Sequence, residues 1–342
     1  MKPAVTLLRS PHASVPYIPM AKPEDTGTCA ERLEQAHQTA LREYPKMHSM
    51  LIARRGRLIW ERYYSEGHAA LLNDLRSATK SVTSLLAGIA IGRGDMPEPG
   101  VPVIEALGEH VPYLHSEQLP MITLRHLLTM TSGFGWKTGK RLGEPLIHKF
   151  HRSRRWGSFA LGLPIVPENI GTFQYRSPDS HLISMMLTES TGHDAFAYAM
   201  DHLFAPLGIA HAAWLPSPEG HSMGHIGLHL TSRDMAKIGL CLLDGGMYAG
   251  RQVIPANWLD QALTAQTAGY PAYGDYGFQF WTGTMSGQPF SLAHGHGGQQ
   301  ILLLPKLSAV IVFTAESRTS HWKHPRKLVE KYIIPALADG GR

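Results

Sequence analysis

The stretch Asp74-Leu75-Arg76-Ser77-Ala78-Thr79-Lys80-Ser81-Val82-Thr83-Ser84-Leu85-Leu86-Ala87-Gly88-Ile89 decides the reading of the fold. Asp74 precedes a helix that begins near Ser77, and Val82, Leu85, Leu86 and Ile89 follow helical spacing. Gly92 and Gly94 end it. Ser77 and Lys80 are three apart, so they share one helix face and the hydroxyl can meet the amine. The positive field at a helix N-terminus favours an alkoxide and a neutral amine. A lysine desolvated beside other cations can lose its proton and act as a base. S-x-x-K is short enough to arise by chance, and a second copy exists, Ser320-His321-Trp322-Lys323. That copy stands in a loop before Pro325, with no helix to align it.

Outward from this helix, Cys29–Tyr44 reads as a helix. Ser49–Arg54 and Arg57–Tyr64 read as strands joined by Arg55-Gly56. Residues 100–215 look mainly helical with long loops, and Gly227–Leu243 is a helix with its entry. Tyr276–Trp281, Gln299–Leu304 and Ala309–Thr314 give three strands, and Pro325–Ile334 a terminal helix. Residues 1–28 are proline-rich and read as irregular. Strands at both ends with helices between them predict an α/β (α+β) fold. Its antiparallel sheet is made from both termini and flanked by helices. The expected division is a sheet domain of 1–75 and 222–342, an inserted mainly helical domain of 76–221, and a site at their interface.

The chain has 342 residues, 43% of them apolar and only 17% charged, which excludes general disorder. Lys and Arg total 32 against 27 Asp and Glu, a mild excess of +5. Such a balance does not call for nucleic acid, which goes with a clustered basic face. The basic aromatic run Lys149-Phe150-His151-Arg152-Ser153-Arg154-Arg155-Trp156 reads as a solvated face, not a phosphate-backbone binder. No Walker loop and no G-x-G-x-x-G occur. Cys29 and Cys241 cannot make a disulfide framework, though a single bridge stays open. No apolar leader is visible in Met1–Lys22, and the longest apolar run, Leu85–Ile91, is too short for a membrane span. A soluble cytoplasmic protein is expected.

The 20 histidines invite a metal or triad reading. His221, His225 and His229 recur every four residues, but Gly220, Gly224 and Gly227 interrupt any helix there. No H-E-x-x-H and no cysteine pair at zinc spacing is present. No metal is expected. Gly220-His221-Ser222-Met223-Gly224 matches the G-x-S-x-G nucleophile elbow. Its approach contains Pro216 and Pro218, which cannot sit in a central strand. Ala293-His294-Gly295-His296-Gly297-Gly298-Gln299 is a glycine-rich turn entering an apolar strand, where glycine permits close backbone approach to a ligand.

Taken in order, these segments resemble the S-x-x-K serine hydrolases. That superfamily comprises class C β-lactamases, penicillin-binding proteins, family VIII carboxylesterases and 6-aminohexanoate-dimer hydrolases. Arg76-Ser77-Ala78-Thr79-Lys80-Ser81 is similar to the first box, and Ile122–Gly133 to its downstream companion. Tyr175-Arg176-Ser177 resembles the second box. Phe204-Ala205-Pro206-Leu207-Gly208 and Leu230–Ala236 resemble later landmarks. His296-Gly297-Gly298 is similar to the third box of the esterase-like branches. Order excludes the literal Lys137-Thr138-Gly139, Tyr63-Tyr64-Ser65 and His225-Ile226-Gly227.

The resemblance implies a β-lactamase/transpeptidase-like fold and a catalytic set of Ser77, Lys80 and Tyr175, with Lys80 and Tyr175 sharing the base role. It implies oxyanion donors from the backbone of Ser77 and Gln299, with His296, Gly297, Gly298 and Ser177 lining the site. No cofactor is implied. The third-box lysine that anchors a β-lactam carboxylate is missing. The expected reaction is therefore hydrolysis of a small carboxylic ester through an acyl-enzyme on Ser77. The alternatives are an amide hydrolase of the 6-aminohexanoate-dimer, D-peptidase or weak β-lactamase kind, and a non-catalytic penicillin-binding-protein-like ligand binder. A small-molecule substrate is expected as the only partner, with neither nucleic acid nor membrane, and the oligomeric state is left open.

Overall fold

The computed structural model describes residues 6–7, 17–113, 115–139 and 142–339. Helix α1 (Ala30–Glu43) leads into the hairpin β1 (Met47–Arg54) and β2 (Arg57–Tyr63). Its turn places Arg55 at φ 50° and Gly56 at φ 76°, both left-handed, which matches the twist of the flanking strands. The helical middle contains α2 (Thr79–Arg93), α3 (Ser177–Thr191) and, further on, α4 (Ser232–Leu243). The chain then returns to the sheet through β3 (Asp275–Tyr276), β4 (Trp281–Met285), β5 (Gln288–Gly295), β6 (Gln299–Leu304) and β7 (Ala309–Ala315). The strand order is β3-β4-β5-β6-β7-β1-β2, antiparallel throughout. The early hairpin thus completes one side of the sheet by lying against the late strand β7, with Ile311 opposite Ile52.

Alternation along each strand divides the sheet's side chains between two cores. Met50, Ile52, Leu302, Leu304, Ile311 and Phe313 pack under α1 and the C-terminal helical segment, Arg326 to Asp339. Leu51, Ala53, Ile301, Leu303, Val310 and Val312 pack on the opposite face against α4 and the core that contains α2. Helix α2 is buried from Thr79 to Ala90 on all sides. Its polar side chains therefore need partners, and Ser81 Oγ donates to Gln279 O and Thr83 Oγ1 to Gly224 O.

Several local expectations need correction. The strand expected over Tyr276–Trp281 breaks, because Gln279 adopts φ 64°. Its N–H donates to Leu128 O, and its side-chain amide donates to Leu127 O and Leu128 O. Capping those helix carbonyls replaces the ladder there. Strands β4 and β5 were not anticipated. They form a hairpin around Ser286 (φ 47°) and Gly287 (φ 74°), and the Ser-Gly pair was the available turn signal. The expected Gly227 helix begins only at Ser232, after a short strand Leu228–Leu230, with Thr231 as its N-cap. The middle stretch also holds an antiparallel strand pair, Ser132–Phe134 with Ile165–Ile170. Of the stretch read as irregular, Thr6–Leu7 pairs with His211–Ala212, while residues 1–5 and 8–16 lie outside the described residues.

No helix among the described residues is long and apolar enough to cross a membrane. Cys29 and Cys241 are both free thiols.

Candidate active site

Ser77 sits in a single 3-10 turn, Arg76–Ala78, that feeds directly into α2. Arg76 is held at φ 49°, a left-handed conformation unusual for a side chain of this size. Asp74 fixes it by accepting from Arg76 N at 2.9 Å. The turn lies against the end of β5. A Cβ built on Gly295 would stand 2.1 Å from Leu75 O and 3.2 Å from Ala78 N, so only glycine fits there.

One helical turn below, Lys80 is buried, at 1% exposure. Its Nζ lies 3.2 Å from Ser77 Oγ, 3.1 Å from Ser177 Oγ and 3.2 Å from the carbonyl of His225. Burial lowers its pKa to about 8; Glu144 opposes the shift and Arg76 assists it. Tyr175 is also buried, hydrogen-bonded to Ser77, with its ring stacked on Trp281 and 5.0 Å from Lys80 Nζ. Burial pushes the phenol pKa well above the ordinary value, with Glu144 adding to the rise, so at neutral pH it is protonated.

The loop that presents Tyr175 is built on a buried ion pair. Arg176 binds Asp179 at 3.2 Å and donates to Phe134 O and Met130 O. Ser132 Oγ also donates to Asp179. The Thr131-Ser132-Gly133 landmark thus braces this loop from behind. Gly133, at φ 72°, lets the chain turn against Ile170. Ser177, the first residue of α3, donates from both Oγ and N to Glu144, at 2.6 and 2.7 Å.

The structure therefore brings Ser77, Lys80, Tyr175 and Ser177 together. It separates the expected third-box residues. A cavity of about 590 Å³ opens over Ser77, lined by Leu142, Tyr175, Tyr273, His294, His296 and the segment Ser320–Trp322 with His324. His294 and His296 face it, whereas Gly297 and Gly298 line a different cavity, beside Tyr44 and Met47. Gln299 is fully buried and its amide is tied to Ala315 O and Ala315 N. The His296 imidazole bonds Thr319 O at 2.6 Å. The residue of β5 packed on the Ser77 turn is Gly295, immediately before His296.

Among the described lining residues there is no Lys or Arg. Trp322 lies in ring contact with His294, His296 and His324. Burial drives His324 down to about 4 and His294 well below its ordinary value, so both are neutral at pH 7.

The excluded motifs have other work. Ser222 is buried and its Oγ donates to Asp194 Oδ1 at 3.1 Å while accepting from Phe196 N. It reinforces the N-cap of helix Ala195–Ala199. Thr138 of the literal Lys-Thr-Gly donates to the carbonyl of Tyr175. His225 of the rejected His-x-Gly supplies the carbonyl beside Lys80. Ser320 lines the cavity but has no aligned lysine, since Lys323 pairs with Glu43. Phe150 and Trp156 of the basic run are buried against His151, His181 and His225. These histidines are neutral, with burial lowering His151 to about 4 and His181 to about 3.

Among the described residues one group has metal-ligand geometry, His110, Glu189 and His221; in it His110 Nε2 lies 2.9 Å from Glu189 Oε1. It is not part of the Ser77 cavity. Glu144 and Trp136, which donates to it at 2.7 Å, were not anticipated from sequence. Both lie in irregular chain, where no period marks an inward side chain.

Comparison with known proteins gives a consistent set. A profile of the Beta-lactamase family matches residues 39–330. The 6-aminohexanoate-dimer hydrolase of Paenarthrobacter ureafaciens is 25% identical over 296 residues, 78% of this chain and 73% of that protein. Esterase EstB of Burkholderia gladioli is 31% identical over 127 residues, 34% of this chain and 32% of that protein. Among solved structures, a penicillin-binding protein homologue from Caulobacter crescentus superposes with a TM-score of 0.69 at 16% identity, covering 96% of this chain and 99% of that one.

Proposed function

The chain belongs to the Beta-lactamase family and is a serine hydrolase, and on that premise we propose that it hydrolyses small, uncharged carboxylic esters through an acyl-enzyme on Ser77. The observation that carries this reading is the dry amine of Lys80, 3.2 Å from Ser77 Oγ with a pKa lowered to about 8. A base poised near the working pH transfers protons efficiently.

Ser77 Oγ attacks the carbonyl carbon and its proton passes to Lys80 Nζ. Lys80 is assigned the base role alone, because the raised pKa of Tyr175 opposes a tyrosinate. Tyr175 acts as a phenol: it gives its proton to the departing oxygen and is reprotonated from the Lys80 ammonium. Water then attacks the acyl carbon, yields a proton to Lys80, and Ser77 recovers its own as the acid leaves. The negative oxygen of each tetrahedral intermediate is assigned to the N–H of Ser77 and the N–H of His296, which follows the strand residue packed on the Ser77 turn. This replaces Gln299 as the second donor.

The preference for esters without a carboxylate rests on the cavity wall. With no lysine or arginine among the described lining residues and with neutral His294 and His324, those residues offer a substrate carboxylate no fixed counter-charge. Amide hydrolysis is the second reading. It is favoured by the 6-aminohexanoate-dimer hydrolase likeness over 78% of the chain and by a phenol able to protonate a departing amine.

The test compares p-nitrophenyl butyrate, nitrocefin and the linear 6-aminohexanoate dimer, with a fluorophosphonate label located by mass spectrometry. Turnover of the ester and a label on Ser77 are expected. A label on Ser222, with full activity in Ser77→Ala, would overturn the mechanism. Turnover of the dimer with no ester turnover would select the amide reading. No label and no turnover would select a ligand-binding role.

A further inference from the structure

We propose that Glu144 is a positioning residue for the base: by taking the only hydroxyl proton of Ser177, it fixes the direction of the hydrogen bonds around Lys80 so that the amine's lone pair faces Ser77. This rests on the serine hydrolase mechanism above.

A neutral amine has two N–H groups and one lone pair. Three oxygens surround Lys80 Nζ, those of Ser177, His225 and Ser77. The His225 carbonyl can only accept. A serine hydroxyl can accept or donate, so Ser177 alone would leave the pattern undetermined. Donation from Ser177 Oγ to Glu144 Oε2 at 2.6 Å removes that freedom. Ser177 must then accept from Lys80, the two N–H groups are consumed, and the lone pair is left for the Ser77 proton. Once that proton arrives, the third N–H points back at Ser77 Oγ, the geometry needed to return it.

Glu144 is itself fixed from three directions. Trp136 Nε1 and Ser177 N both donate to Oε1 at 2.7 Å, and Ser177 Oγ donates to Oε2. Its charge also favours the ammonium, against burial and Arg76. The carboxylate thus holds both the direction of the network and the pH at which the amine becomes a base.

The experiment measures the rate at which a fluorophosphonate labels Ser77, as a function of pH, for wild type, Glu144→Gln and Glu144→Asp, with thermal melts to establish folding. In Glu144→Gln labelling should slow by about 10-fold or more, and its acid limb should move about one pH unit lower, as expected for loss of one nearby charge. Glu144→Asp, which keeps the charge but shortens the reach, should label more slowly with an unmoved limb. A residue that only supported the loop would change the rate and leave the limb in place in both variants. Identical limbs in wild type and Glu144→Gln therefore overturn the proposal. A moved limb or an unchanged rate in Glu144→Asp overturns it too, even if the Gln variant does not fold. Absence of any Ser77 label in wild type would instead overturn the mechanism on which the proposal rests.

Discussion

Gly295 and Leu75 belong to segments far apart in sequence, yet a Cβ on Gly295 would stand 2.1 Å from the Leu75 carbonyl. The φ of Gly295 is −125°, ordinary for any residue, so the requirement for glycine comes from close packing, of which this contact is the tightest. The contact seats the edge of β5 on the turn that carries Ser77. Gly295→Ala is expected to push the two apart, lowering kcat/KM by about 100-fold through a displacement of about 1 Å. Overpacking would cost about 1–3 kcal/mol of stability. Ester kinetics with a chemical melt checks both. Near-normal kcat/KM in a folded variant would separate this contact from catalysis.

The pH dependence of turnover follows from Lys80. Its pKa is lowered to about 8, so the neutral base predominates only above that pH. The free-enzyme profile of kcat/KM should rise with pH and level off above about 8. Both Ser77→Ala and Lys80→Met should abolish it. A plateau extending down to pH 6 would point to a different base.

Lys80 also has a cost in stability. Between about 8 and the ordinary value of 10.5, the unfolded chain holds a proton on this amine and the folded chain does not. Where the unfolded state binds more protons, stability rises with pH. Wild type should therefore gain about 3 kcal/mol across that window relative to Lys80→Met. Urea melts of the two proteins at pH 7.5, 9 and 10.5 measure the difference. Parallel stability curves would mean that Lys80 is not desolvated in the folded protein.

Ser222→Ala should leave esterase activity unchanged and cost about 1 kcal/mol, because the hydroxyl links Asp194 to Phe196 N at a helix N-cap. Activity falling with no change in melting would contradict this assignment.

The cavity wall predicts discrimination by charge. p-Nitrophenyl butyrate should be a better substrate than p-nitrophenyl hemisuccinate, chiefly through KM. His294→Lys should narrow that gap by placing an ammonium where none of the described lining residues carries one. Equal KM values in wild type would show that the cavity wall does not select by charge.

The legible parts of this site are those held by local geometry. Ser77 and Lys80 share a helix face because they are three apart, and Tyr175-Arg176-Ser177 could be placed by its order after them. A sheet made from both termini is legible from the apolar strands near both ends, and its β-lactamase/transpeptidase-like character follows from the motif resemblance. The hairpin β4–β5 was missed because Trp281–Met285 contains Gly283 and little apolar alternation. The third box reads as His296-Gly297-Gly298 in the sequence, whereas the β5 residue packed on the Ser77 turn is Gly295, just before it. Both segments are glycine- and histidine-rich, and only the register of Gly295 opposite Gln299 shows where the strand ends. Thr138 and His225 belong to motifs rejected by order. They serve through a hydroxyl and a backbone carbonyl, which a side-chain motif does not encode.

The sequence by itself determined the chemical pair, a serine and a lysine in fixed helical relation, since i and i+3 neighbours meet whatever surrounds them. Tertiary structure decided what that pair is. The acceptors around Lys80 come from Ser177 and His225, 97 and 145 residues away along the chain. The opposing charge comes from Glu144 and the dryness from a helix buried on every side. Desolvation and Coulomb terms depend on distance in space and on the exclusion of water. For that reason the lysine's protonation state, and with it the difference between a surface pair and a base, is set only when the chain has folded.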